Sequence, residues 1–246
     1  MSRVGAVIFD VYKTLLDNRT DEESLDSYAF LARWLAYHGV ETDAPSLRGR
    51  YLELCTRESE EAGTLYPDFD ISRVFASILL DGEATSFDVE AKSREMALLF
   101  RVLTTKWLAA YPGVHQLLTG LQGKVKLGIV SNAQAIFTDP ELERFSLLHY
   151  FDSVVYSSAA GVRKPDPGIF LKGLHALGVQ PEAAVYVGDN LFDDVYGAGA
   201  VGMKTIWLRR DGAQRDCDVR AAQMRPDYVV EEGSYQVLSE VLQSML

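Results

Sequence analysis

Residues 6–10, AVIFD, and residues 184–189, AVYVGD, decide the reading of this chain. Each is a short apolar run of β-prone residues that ends on an acid, and the second continues as LFDDV after Asn190, adding Asp194. Short runs of this kind read as strands buried on both faces of a parallel sheet. Laid side by side, they bring Asp10, Asp189 and Asp194 to the carboxyl ends of the strands, where open α/β sheets bind ligands. Three converging carboxylates repel one another and have their pKa values raised unless a cation neutralises them. Mg²⁺, a hard cation that takes oxygen ligands, is the simplest such partner.

Working outward, strand and helix signals alternate from residue 111 to the end. A helix opened by Pro112 (112–121) is followed by a strand (124–131), a helix (139–148), a strand (153–156), a helix (167–177) and the strand that ends at Val187. Two short strands (204–208 and 228–230) and a closing helix (234–246) complete the series. Such alternation predicts an α/β fold, a Rossmann-like doubly wound and mostly parallel sheet covered on both faces. Between the first strand and this series the character changes. Residues 22–39 place Leu25, Tyr28, Phe30, Leu31, Trp34, Leu35 and Tyr37 on one broad apolar face, and 48–60, 71–80 and 90–110 repeat that spacing. Breaks fall at Ala44-Pro45, Tyr66-Pro67 and Asp81-Gly82. The expectation is a core domain of residues 1–16 and 111–246 carrying an all-helical insert, residues 17–110, that acts as a cap. Trp34, Phe75 and Trp107 on this insert read as helix packing.

Composition narrows the function. With 246 residues, 48% hydrophobic and 24% charged, the chain is long enough for one sizeable core plus an insert. A net charge of −11 with no basic stripe argues against nucleic acid as a partner. No apolar run reaches the roughly 18 residues of a membrane span. The first residues, MSRVGAVIFD, are expected to run into a core strand and not to form a signal peptide, and Cys55 and Cys217 form no CxxC pair. Two reduced thiols and a cytoplasmic protein are expected. The oligomeric state is left open.

Four stations then stand in order: Asp10 in DVYKTL, Ser131-Asn132 closing LGIVSN, Lys164 in GVRKPDPGIF, and Asp189 with Asp194 in GDNLFDD. Together they resemble the haloacid dehalogenase-like (HAD) hydrolase superfamily over the whole chain, and the insert is similar to the family's C1-type cap. The resemblance implies that Asp10 is a nucleophile forming a covalent ester. Ser131 and Asn132 would donate to the phosphoryl oxygens, and Lys164 would keep the nucleophile ionised and bind the transferred group. Mg²⁺ would be held by Asp10, Asp189, the main-chain carbonyl of Tyr12 and, directly or through water, Asp194. Asn190 and Asp193 would be outer groups of the metal site or helix caps. Lys13 would contact substrate, pair with an acid or face solvent, and Arg163 would be a solvated neighbour of Lys164.

One position departs from the family's phosphatases, which carry a second Asp two residues after the nucleophile. Here it is Tyr12, a phenol of ordinary pKa about 10 and a poor base at neutral pH, expected to take a catalytic part as a hydrogen-bond donor in place of the usual acid. Tyr in that place is instead what the superfamily's 2-haloacid dehalogenases have, and Asn190 with Asp193 also fits their fourth motif. Those enzymes use no metal, have a small residue in place of Asp189, and receive halide on a cap arginine, for which Arg19, Arg33, Arg48 and Arg50 are candidates by position. Electrostatics weighs the other way, because without a metal Asp189 would face Asp10 as an unpaired like charge. The leading expectation is therefore a Mg²⁺-dependent phosphatase of small phosphomonoesters, acting on a phosphorylated metabolite through an aspartyl-phosphate on Asp10. The alternatives are a metal-independent 2-haloacid dehalogenase and a catalytically weak protein that senses a ligand or binds a partner.

Overall fold

The computed structural model describes residues 4–81, 88–210 and 225–246, so Cys217 and the Gly82 side of one expected break lie outside the described residues. Strand β1 (Ala6–Phe9) is buried along its whole length. It pairs in parallel with β4 (Lys126–Ser131) on one side and β6 (Ala184–Gly188) on the other. Beyond β4 lies β5 (Ser153–Tyr156), and beyond β6 lie β7 (Lys204–Arg209) and β8 (Tyr228–Glu231). The order is β5-β4-β1-β6-β7-β8, with every pairing parallel. Ala6 sits opposite Ala184 and Phe9 opposite Val187, so the two deciding runs lie in register and their acids leave the same edge of the sheet. The strand order reverses between β1 and β6, which opens a crevice there.

Alternation along β1 sends side chains to both faces. Val7 and Phe9 join Ile129, Val187 and residues of α5 (Val114–Leu121), α6 (Ala135–Arg144) and α10 (Tyr235–Met245) in one apolar cluster. Ala6 and Ile8 join Val130, Tyr186 and α8 (Pro167–Leu177) in the other. The ends of α8 are written locally: Pro167 occupies its first turn, the Asp166 carboxylate accepts from Gly168 N at 2.7 Å, and Gly178 takes φ 64° past the last residue. Two single-turn helices, α7 (Ser157–Ala160) and α9 (Gly197–Ala200), and a π-helical turn, Leu191–Tyr196, fill the connections.

Four helices, α1 (Leu25–Tyr37), α2 (Ala44–Glu61), α3 (Ile71–Asp81) and α4 (Val89–Thr104), share a separate apolar cluster built on Tyr28, Leu31, Leu54, Val74, Phe75 and Phe100. Asp43 and Asp88 cap α2 and α4 through their side chains. The expectation of an all-helical segment across 17–110 does not hold. β2 (Leu16–Thr20) and β3 (Thr105–Ala110) form a two-stranded antiparallel ribbon that carries the chain into and out of the helices. The helix expected through residue 110 stops at Thr104. There Thr104 and Thr105 turn their hydroxyls back onto the carbonyls of Phe100 and Arg101, at 2.9 and 2.6 Å, and the cross-strand bonds to β2 take over. The helix expected over 139–148 begins earlier, at Ala135. Its Ile136 and Phe137 pack against the four-helix cluster.

Candidate active site

β1 ends at Phe9 and delivers Asp10, whose backbone N–H still bonds Val187 O at 3.0 Å, so the residue is fixed by the sheet before its side chain makes any contact. Asp10 Oδ1 accepts from Ser131 Oγ at 2.8 Å and from Lys164 Nζ at 2.7 Å. Ser131 is the last residue of β4, the strand beside β1. Lys164 reaches in from the loop before α8 and is 3% exposed. Its ammonium also donates to Asp194 Oδ1 at 2.6 Å and to Tyr186 Oη at 3.0 Å, so all three of its protons are committed to the protein. Tyr186 in turn donates to Val130 O at 2.6 Å. Asp194 lies over Gly188, where a Cβ would overlap its carboxylate, and its other oxygen accepts from Asn190 N at 2.9 Å. Asn190 caps the π-helical turn, its side chain accepting from Phe192 N and Asp193 N. Asn132 bonds Lys164 N at 2.7 Å through its oxygen, while its amide makes only long bonds, 3.3 Å to Lys164 O and 3.4 Å to Asp193.

Asp10, Asp189 and Asp194 each present one oxygen within 4.8 Å of the others. Three carboxylates face one ammonium, which leaves two negative charges unbalanced. Burial pushes the Asp189 carboxyl up to about 8, with Asp194 and Asp10 adding repulsion and Lys164 offsetting only part of it. Asp194 is also raised, by its burial, despite direct contact with Lys164. Burial alone would lower the Lys164 ammonium, but Asp10 and Asp194 hold it well above the usual lysine range. An all-oxygen donor set with surplus negative charge fits a hard divalent cation such as Mg²⁺.

Other residues singled out in the sequence lie elsewhere. The Tyr12 hydroxyl does not face this cluster: it donates to Glu141 Oε2 at 2.6 Å and lies 3.0 Å from Thr138 Oγ1. Lys13, at φ 64°, bonds Asp17 at 2.8 Å and the Asn18 carbonyl, placing it at the base of the ribbon and not among the acids. Asp17 collects Lys13, Trp107 and Tyr111, and the Lys13 bond is the main reason its carboxyl stays below the ordinary range. Arg163 is exposed, and its backbone N–H bonds Tyr66 O at 2.9 Å. None of the four arginines considered as halide ligands is paired with the acidic cluster: Arg19 lies over Trp107, Arg33 over Phe30, Arg48 near Glu23, and Arg50 between Glu53 and Asp81. Phe75 is buried among the helices and Trp34 packs against them, whereas Trp107 stands on β3 and is half exposed. Sequence reasoning missed Tyr186, Thr138, Glu141 and Arg101. Tyr186 carried a signal, since a phenol inside a fully apolar strand requires a buried hydrogen-bond partner.

Comparison with known proteins follows the same line. Residues 86–208 match the haloacid dehalogenase-like hydrolases. A glyceraldehyde 3-phosphate phosphatase of Methanopyrus kandleri is 34% identical over 233 residues, covering 93% of this chain and 93% of its own. The structure of a HAD phosphatase from Thermococcus onnurineus superposes with TM-score 0.62 at 28% identity, over 97% of this chain and 98% of that one. A 2-haloacid dehalogenase from Pseudomonas syringae pv. Tomato DC3000 gives TM-score 0.67 at 26% identity, over 99% and 100%. No helix among the described residues is long and apolar enough to cross a membrane. The strand-tip acids, the lysine that joins two of them and the likeness along nearly the whole chain lead to one assignment: this protein belongs to the haloacid dehalogenase-like hydrolase family.

Proposed function

We propose that the chain is a Mg²⁺-dependent phosphatase of small phosphomonoesters, with residues 17–110 serving as the cap over a core of residues 1–16 and 111–246. The observation that carries this reading is the convergence of Asp10, Asp189 and Asp194 around a single ammonium, a charge imbalance that a divalent cation resolves. The phosphatase names of the Methanopyrus and Thermococcus relatives support it. Asp10 attacks phosphorus, the bond to the leaving oxygen breaks with its electron pair, and that oxygen takes its proton from solvent water, since the Tyr12 hydroxyl is bonded to Glu141. Water then attacks the aspartyl-phosphate, releasing phosphate and restoring Asp10. Lys164 and Ser131 orient Asp10 through their bonds to its Oδ1. The Asn132 amide, loosely held, is the donor free to turn toward a phosphoryl oxygen. Asp10, Asp189, Asp194 and the Tyr12 carbonyl would hold Mg²⁺, which neutralises charge on the transferred group when bound. Lys13, tied to Asp17, supports the loop and leaves substrate contact to other residues.

A second reading, metal-independent dehalogenation of a 2-haloacid with the Asp10 ester formed at carbon, is favoured by Tyr12 and by the likeness to the Pseudomonas enzyme. Against it stand Asp189 and the separate engagements of the four candidate arginines. A phenyl phosphate and 2-chloropropionate, each incubated with the protein with and without EDTA, decide between them. EDTA-sensitive phosphate release is the expected result. EDTA-resistant chloride release establishes the dehalogenase, and silence in both leaves a sensing or partner-binding role.

A further inference from the structure

Glu141 of α6 accepts two bonds from Arg101 of α4, Nε to Oε1 at 2.7 Å and Nη2 to Oε2 at 3.1 Å, and a third from the Tyr12 hydroxyl at 2.6 Å. The three residues come from three places: the helical insert, the helix that continues from the Ser131-Asn132 loop, and the loop two residues beyond Asp10. The Arg101 guanidinium also lies 5.2 Å from the centre of the Tyr12 ring and 5.5 Å from that of Phe137, so it packs on the residue it helps to hold. Side-chain exposures of 11% for Arg101 and 10% for Glu141 place the pair out of water. An ion pair so buried repays its desolvation poorly compared with apolar packing, and its attested use is to fix one register between elements.

We propose that Arg101 and Glu141 are positioning residues that act through Tyr12: the guanidinium brought by the insert clamps Glu141, Glu141 clamps the Tyr12 phenol, and the loop behind the nucleophile is held in its working geometry only while α4 is docked on α6. The proposal rests on the phosphatase reading for its kinetic test, and on Mg²⁺ binding for a test without substrate. The bidentate fork is what makes Arg101 specific, because a lysine supplies the charge but not the paired bonds.

The experiment compares Arg101→Met, Arg101→Lys, Tyr12→Phe and the double variant Arg101→Met/Tyr12→Phe, with Arg50→Met, which breaks an ion pair inside the insert, as control. Wild-type release of phosphate from a phenyl phosphate establishes the underlying reading; its absence defeats that reading and not this one. Given activity, Arg101→Met and Tyr12→Phe should each lower kcat about tenfold, and the double variant should be no slower than the slower single, as for residues acting as one unit. Arg101→Lys should recover part of the loss, and Arg50→Met should behave as wild type. Without substrate, the rise in melting temperature caused by Mg²⁺ should shrink in Arg101→Met and Tyr12→Phe alike. Losses that multiply in the double variant, or wild-type kcat and Mg²⁺ response in Arg101→Met, overturn the proposal. If Arg101→Met does not fold, Arg101→Lys takes its place, alone and combined with Tyr12→Phe: non-multiplying losses support the clamp, and multiplying losses or wild-type behaviour overturn it.

Discussion

Two buried charge clusters flank the loop that follows β1, and they are balanced in opposite ways. At the strand tips, Asp10, Asp189 and Asp194 share one ammonium, Lys164. At the junction of α4 and α6, one carboxylate, Glu141, meets one guanidinium, Arg101, with the neutral phenol of Tyr12 completing the set. The second cluster is neutral as a unit and is complete within the chain. The first carries surplus negative charge in a place where water does not screen it, so its energy depends on pH and on any cation that binds. Carboxylate-to-amide substitutions should therefore act with opposite sign in the two places, although the chemistry of the change is the same.

The largest effect expected is kinetic. Asp10→Asn should lower phosphate release by about 10⁴-fold or more, the scale seen when a nucleophile is removed. Activity within tenfold of wild type in a steady-state assay would take Asp10 out of the reaction. Next comes Glu141→Gln, which leaves the Arg101 charge buried and unpaired and should cost about 3 kcal/mol. Urea unfolding reads this as a lower midpoint at unchanged slope, and an unchanged midpoint would show the pair to be screened after all. Asp189→Asn should do the reverse, raising metal-free stability at pH 8 and removing most of the Mg²⁺-induced stabilisation. A destabilised metal-free variant would contradict the imbalance.

The smallest effect is the pH dependence of the metal-free wild type. The Asp189 carboxyl titrates near 8 when folded, against about 3.9 in an unfolded chain. Between those values the folded state binds more protons than the unfolded one, so this group's contribution falls as pH rises from about 4 toward about 8. Mg²⁺, which favours the ionised form, should flatten the slope. Melting curves at pH 6 and pH 8, with and without Mg²⁺, check this. A metal-free protein more stable at pH 8 than at pH 6 would mean that the strand-tip acids do not dominate the pH response.

Much of the strand-tip cluster was legible in the sequence, because each part is encoded within a few consecutive residues. An apolar run that ends on Asp10, Ser131 or Asp189 states both a buried strand and the group exposed at its tip, whereas the pairing of residues 6–9 with 184–187 was a supposition that the sheet bears out. The Pro and Asp residues that open α8 and the Gly that closes it are equally local. The β2–β3 ribbon was not legible. Its second strand continues a helical pattern, and it becomes a strand only because β2 lies beside it while two threonines bond back to end α4. The ion pair of Lys13 with Asp17 depends on where Asp17 falls at the base of that ribbon.

What the chain determined by itself was the α/β order, the helical insert and the acids at the strand ends, since those depend on periodicity and on neighbours in sequence. What only the tertiary structure decided was where each polar side chain finds its partner: Tyr12 with Glu141, Glu141 with Arg101, Lys164 with Tyr186. Hydrogen bonds and ion pairs act over about 3 Å and demand direction, so a partner contributed by a distant segment is fixed only when packing has set the register of the elements that carry both.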